Sequence, residues 1–186
     1  MTGAFRTVPA AALLALTACG AALHIDVHDE RLPLEARRWV ADAEDAVTIA
    51  TAELEDTRRA LAAERARSLR VPTGATPLLS AWRRLADARV QLAVAEVAFA
   101  GGARSAAVAR REEVLAATAT RYDLGVYELA TYQREAGLAR SDLQRLTLAV
   151  EDQRAVTSAL ATAFWTAWQD HVAQGGDTGV LWRAPR

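Results

Sequence analysis

Along this chain apolar residues return at alternating intervals of three and four, in three separate runs. From Glu35 to Arg70, Val40, Val47, Leu54 and Leu61 recur every seven residues, with Ala43, Ala50 and Thr57 between them. A large residue at one seam position and a small one at the other is a coiled-coil pattern that lets two helix axes approach closely. An isolated helix would leave the stripe wet, so the run needs a partner, and the small seam favours a tight antiparallel pair. The second run, 77–121, repeats the arrangement with Leu78, Leu85, Leu92 and Phe99 in one column and Ala81, Ala88, Ala95 and Gly102 in the other. The third, 127–172, places Leu129, Ala136, Leu143, Val150, Thr157 and Phe164 beside Tyr132, Ala139, Leu146, Gln153, Leu160 and Ala167. At the helical rise this last element is a rod of roughly 70 Å. The predicted fold class is all-α: an elongated antiparallel coiled-coil bundle of three long helices, 35–70, 77–121 and 127–172, forming one domain over 35–174.

The breaks carry their own chemistry. VPTGATP, residues 71–77, places two prolines and a glycine within seven residues, and Thr76 is suited to cap a helix that opens on Pro77. RYDLGVY, residues 121–127, ends the second run at a glycine that permits positive φ, with Asp123 able to bond its own turn. Gly101 and Gly102 each lower helix propensity by about 1 kcal/mol relative to Ala and mark a kink or a close crossing, with a full break as the alternative. Gly175–Gly176 closes the third run and leaves a tail over 175–186. Folding the first run back about residue 74 pairs positions whose numbers sum to about 149. That sets Asp45 near Arg104 and Asp42 near Ala107, so an acidic helix start meets a basic helix end.

Composition refines this picture. Of 186 residues 44 are Ala, and only 6% are aromatic, which fits helices packed on small side chains. All 22 basic residues are Arg. The formal charge of −1 excludes a generally basic nucleic-acid binder. Its distribution is uneven: residues 20–57 carry 10 acids against 3 Arg, and residues 58–111 carry 11 Arg against 3 acids. Arg58, Arg59, Arg65, Arg67, Arg70, Arg83, Arg84 and Arg89 crowd the 71–77 turn, and such a basic hairpin tip attracts an anionic partner. Trp82 beside Arg83 and Arg84 reads as a binding or a packing residue, and Trp165 with Trp168 as a plug at the end of the third run.

The N-terminus, MTGAFRTVPAAALLALTACG, has a short segment with Arg6 followed by an apolar stretch too short to span a bilayer comfortably, the build of a secretory signal over 1–18. Leu16, Thr17, Ala18 and Cys19 resemble the lipobox of bacterial lipoproteins. The resemblance implies cleavage before Cys19 and its acylation, palmitate included, with the lipid chains as a membrane anchor. It also implies outer-membrane sorting, because Gly20 rather than Asp follows the cysteine. Cys19 is the only cysteine, so no internal disulfide forms.

Residues 19–34 then read as a solvated tether after the lipidated Cys. Within it His24, Asp26 and His28 fall at spacing two, with Glu30 beyond, and an extended strand would bring these metal-ligand types to one face. They are weak metal candidates, since no distant ligand closes the site, and neither a metal nor a cofactor is expected. Paired acids such as Glu112 with Glu113, or Asp42 with Asp45, are what solvated helices normally contain. No constellation of nucleophile, base and orienting group appears, so the chain is read as no enzyme.

The stretch EEVLAATATRYDLGVYELATYQREAGLARSDL resembles the periplasmic helical hairpin of outer-membrane efflux proteins of the TolC type. The matching residues are Arg121, Tyr122 and Gly125, with Leu129 and the later Leu/Ala repeat in keeping. The resemblance covers roughly 105–165 and implies that the turn sits at the periplasmic end of a channel, where it meets an exporter adaptor. The long alternating strands that build the barrel in that family have no counterpart here. Two expectations follow: a lipid-anchored periplasmic scaffold or accessory of an envelope or efflux complex, or a truncated TolC-like subunit forming an oligomeric conduit. The partners expected are the membrane through the anchor, an efflux adaptor or other envelope protein, and further copies of the chain.

Overall fold

The structure, a computed structural model, describes residues 25–26, 28–122 and 129–178. It is all-α, with α1 over Leu34–Ser68, α2 over Pro77–Arg121 and α3 over Leu129–Ala173. The three runs read from the sequence are these three helices. The seam side chains expected at Leu129, Tyr132 and Ala136, and the turn over 123–128, lie outside the described residues.

Each boundary has a local cause. Pro77 opens α2 with its missing N–H at a position that needs none, while Thr76 accepts a hydrogen bond from the Leu79 N–H at 3.3 Å. At the end of α3 the Gly176 N–H donates to the His171 carbonyl and the Gly175 N–H to the Val172 carbonyl, both at 2.9 Å. This bond pair is a Schellman motif, and it requires the positive φ of 85° that Gly175 adopts.

α2 is the middle helix. α1 and α3 both run antiparallel to it and pack along it, but scarcely touch one another. Against α1 the paired positions sum to 155 rather than about 149: Thr51 lies beside Arg104 and Glu44 beside Arg111. The expected pairing of Asp45 with Arg104 is therefore displaced by more than a turn. The linker explains the difference. Residues 69–76 leave α1 through turns at Arg70 and Val71 and reach Pro77 with Thr76 extended, a longer path than a tight turn centred on residue 74. The first ten residues of α2 thus project past the end of α1, where α3 covers them. Against α3 the sums cluster near 253, as in Glu113 with Arg140 and Trp82 with His171.

Two apolar clusters hold the ends. Ile25, Leu32, Ala36, Val40, Leu115 and Ala119 form one, and Leu85, Leu92 and Phe164 form the other. Between them the contacts are made by small residues, including buried Ala50, Ala95 and Ala100. At the centre α2 stays continuous through Gly101 and Gly102. A Cβ on Gly102 would sit 3.2 Å from Val150 Cγ2, whereas one on Gly101 would meet only Leu54 Cδ1, at 4.0 Å. The glycine pair is a close crossing and not a break, with one glycine toward each flanking helix.

These spaces predict opposite outcomes for neighbouring substitutions. Gly101→Ala is expected to stabilise the fold by about 0.5–1 kcal/mol, since the methyl fits and the unfolded chain loses freedom. Gly102→Leu is expected to destabilise it by about 1–3 kcal/mol through overpacking against Val150. Thermal unfolding followed by circular dichroism checks both.

Candidate functional site

The two ends of the rod and the grooves between the helices hold the residues singled out above. At the first end, residues 25–33 fold back on the bundle. Ile25 and Leu32 are buried against Val40, Leu115 and Ala119, so the expected tether is pinned to the bundle at these two residues while Asp26, His28, Glu30, Arg31 and Pro33 stay exposed. The segment is held by turns. Asp26 Oδ1 accepts the His28 N–H at 2.8 Å, the Leu32 N–H donates to the Asp29 carbonyl, and Arg37 donates to the carbonyls of Leu32 and Asp29. Asp26 and His28 therefore do not alternate along an extended strand, and the shared face proposed for metal binding is lost. His24, like Cys19 and Gly125, lies outside the described residues. Among the described residues no group of three or more His, Cys, Asp and Glu side chains is placed to hold a metal ion.

The same end receives the C-terminus of α2. The Arg121 guanidinium lies 5.8 Å from the Trp39 ring centre and 5.7 Å from that of Tyr122, a stacked cation between two aromatic rings. Tyr122 packs on the cluster around Leu115. The first two residues of the RYDLG motif thus lie beside the start of α1. They line a groove of about 550 Å³ together with Trp39, Asp42, Arg110 and Glu113.

The expected basic tip separates into three kinds of arginine. Arg59 pairs with Asp56, Arg67 with Glu64 at 2.9 Å, and Arg84 with Asp170 on α3. Arg58, Arg65 and Arg70 are exposed, and Arg83 is half-buried, but the 155 register sets Arg58 level with the middle of α2, away from the turn. Arg89 is not at the surface at all. Its side chain is 6% exposed, with Nε 3.4 Å from Glu64 and Nη1 3.4 Å from Glu96, and its guanidinium lies 5.9 Å from the Phe164 ring centre.

This buried trio was missed because Arg89 was counted with its solvated neighbours. A signal was present: Glu64 falls seven residues after Thr57, in the column of Ala43 and Ala50, and a seam acid asks for a buried cation. Such a group adds little net stability, since desolvation offsets the attraction, but removing one partner strands a charge. The Arg89 Nε and Nη2 have no hydrogen-bond partner, and the groups around the guanidinium come from α1 (Glu64), α2 (Glu96) and α3 (Phe164).

Beyond it the aromatic residues stack along the far end. Phe164 meets Trp165 edge-on, Trp165 meets Trp168, and Trp82 leans on His171. Phe164 and His171 are both 2% exposed, and the Gly176 backbone lies directly over the imidazole. Trp82 and Trp168 are half-buried in this packing, and Trp165 is the most exposed of the three.

No protein-family model, curated protein or solved structure matches the chain.

One carboxylate at the first end is strongly perturbed. Asp29 is pushed down to about 2, first by the side-chain hydrogen bond from Arg31 and then by the Arg31 backbone N–H. Its folded value lies below its unfolded one, so the stabilisation it gives is present above about pH 4 and is lost as the pH falls toward 2. The Leu32 amide, bonded to the Asp29 carbonyl, should lose hydrogen-exchange protection over that window. Arg31→Ala should move the loss to higher pH. Exchange measured by NMR between pH 5 and 2 checks both outcomes.

Proposed function

We propose that this protein is a lipid-anchored scaffold or accessory of an envelope or efflux complex, facing the periplasm from the outer membrane and acting by protein–protein contact. The observation that carries the reading is the form of the rod. α2 and α3 each run 45 residues without interruption, and the grooves between helices are long and open instead of enclosing a substrate. A surface of that kind recognises other helices or extended chains, by apolar anchors spaced along a groove. The anchor itself is supported by Leu16-Thr17-Ala18-Cys19 following an apolar stretch, and the outer-membrane assignment by Gly20.

A second reading, a truncated TolC-like subunit forming an oligomeric conduit, is supported by the Arg121-Tyr122-x-x-Gly125 turn joining two antiparallel helices. Because Arg121 and Tyr122 lie beside residues 25–40, an anchor at Cys19 would put that turn near the membrane. This favours partner contact through the sides of the rod over docking through the turn.

Cys19→Ala is the direct test. The wild-type chain should fractionate with membranes and incorporate labelled palmitate, and the variant should be released and unlabelled. A variant that stays in the membrane fraction would remove the lipoprotein assignment.

A further inference from the structure

α2 carries its apolar residues without a single preferred side, as a helix packed by neighbours on two sides does. It is long and apolar enough to cross a membrane by length and composition alone, yet only 28% of its most apolar stretch is buried. The flanking helices rule out a span in this arrangement, because α1 and α3 carry charged residues along their whole length and pack against it. Of the two faces of α2 left uncovered between α1 and α3, one exposes Arg84, Asp87, Gln91, Val94 and Ala98, and the other is grooved. There the 550 Å³ groove near Trp39 is followed along α2 by a second of about 440 Å³, floored by Glu96, Phe99 and Ala100.

The two walls of this face bear opposite charges at the same heights. On the α1 wall, Asp42 lines the first groove together with Glu113, and on the α3 wall Arg140 reaches that same Glu113 at 3.6 Å. Further along, Glu53 and Arg154 line opposite sides of the second groove. Asp42 and Glu53 are exposed, and the side chains of Arg140 and Arg154 are 74% and 63% exposed. The apolar side chains on the walls also reach solvent: Trp39 is 39% exposed, and Ile49, which shares the helix face of Ala46 and Glu53, is 60% exposed.

We propose that this face is the interface with a second copy of the chain, related by a two-fold axis parallel to the rod. Such an axis keeps every height and exchanges the walls. The α1 wall of one copy then meets the α3 wall of the other, setting Asp42 opposite Arg140 and Glu53 opposite Arg154 in the partner copy. An isologous interface makes each of these pairs twice. The rim pairs fix orientation and register, while Ile49, Trp39 and the floor of α2 supply the apolar burial. An unlike partner would need to carry the same alternation of charge at the same spacing; a second copy carries it by construction. The proposal names the partner for the side-on contact argued above but does not require the anchor, so it stands or falls separately from the outcome of Cys19→Ala.

The test uses the full chain purified in mild detergent, with its mass measured by light scattering up to roughly 100 μM, which populates any dimer of micromolar Kd. The wild type should be a dimer. Asp42→Arg/Glu53→Arg should weaken it by about tenfold or more, and so should Arg140→Glu/Arg154→Glu, because each reversal sets like charges opposite. An equimolar mixture of these two variants should regain the dimer, since every facing pair is again of opposite sign. Circular dichroism confirms that each variant stays helical, and Ile49→Glu provides an independent disruption on an exposed site. A monomeric wild type, a dimer indifferent to both reversals, or a mixture that stays monomeric would overturn the proposal.

Discussion

α2 must meet a helix on each of two sides, and its small and apolar residues are spread around it to do so, leaving an outer stripe at Arg84, Asp87, Gln91, Val94 and Ala98. Its small residues at 81, 88, 95 and 102 admit α3 closely, and Gly101 turns toward α1 at the same level. Everything else follows from giving this helix cover from two antiparallel neighbours. α1 and α3 are the conventional amphipathic partners, with narrow seams toward α2 and charged outer surfaces. Close approach at the middle places Val150 against Gly102, so helix position is fixed there by backbone proximity and not by large side chains. The larger residues, Leu115 at one end and Leu92 with Phe164 at the other, then fill the ends of the rod.

The charged residues work within this frame. Glu64, Arg89 and Glu96 meet where the first helix ends against the second and Phe164 closes over them, fixing which turns of α1 and α2 face one another. A buried trio of this kind contributes specificity of register more than stability, which suits a seam built largely of alanine and open to sliding. Arg84 with Asp170 and Arg140 with Glu113 do the same for α3 at its two ends. At the opposite end of α1, Asp29 and Arg31 hold a short turn that buries Ile25 and Leu32, extending the core past the helix start.

Much of this was legible in the chain, and the remainder has identifiable physical causes. Helix ends were readable because Pro77, Thr76 and Gly175 act locally, through missing donors, caps and positive φ. Val40, Leu54, Leu92 and Phe164 were readable because a heptad column reports one contact face. Leu115 and Ala119 were not, because they face α1, off the column of Leu85 and Leu92 that meets α3. The register between α1 and α2 was missed by six positions, since it depends on the path of residues 69–76, a linker with no periodicity. The burial of Ile25 and Leu32 was not readable for a similar reason: it comes from the Asp26 and Asp29 turns and a tertiary contact, neither of which repeats. The acid in the seam column at Glu64 was a sign of a buried cation that the reading passed over, because Arg89 stands among many arginines.

The central claim is the arrangement itself: α2 in the middle, with its C-terminal end beside the start of α1. Spin labels placed in a Cys19→Ala background measure it directly. Labels at Arg38 and Ala117, both exposed and level in the register, should lie roughly 10–25 Å apart. Labels at Arg38 and Arg84 should be separated by about 50 Å, the length of the intervening helix. A short distance for the second pair, or a long one for the first, would contradict the antiparallel rod described here.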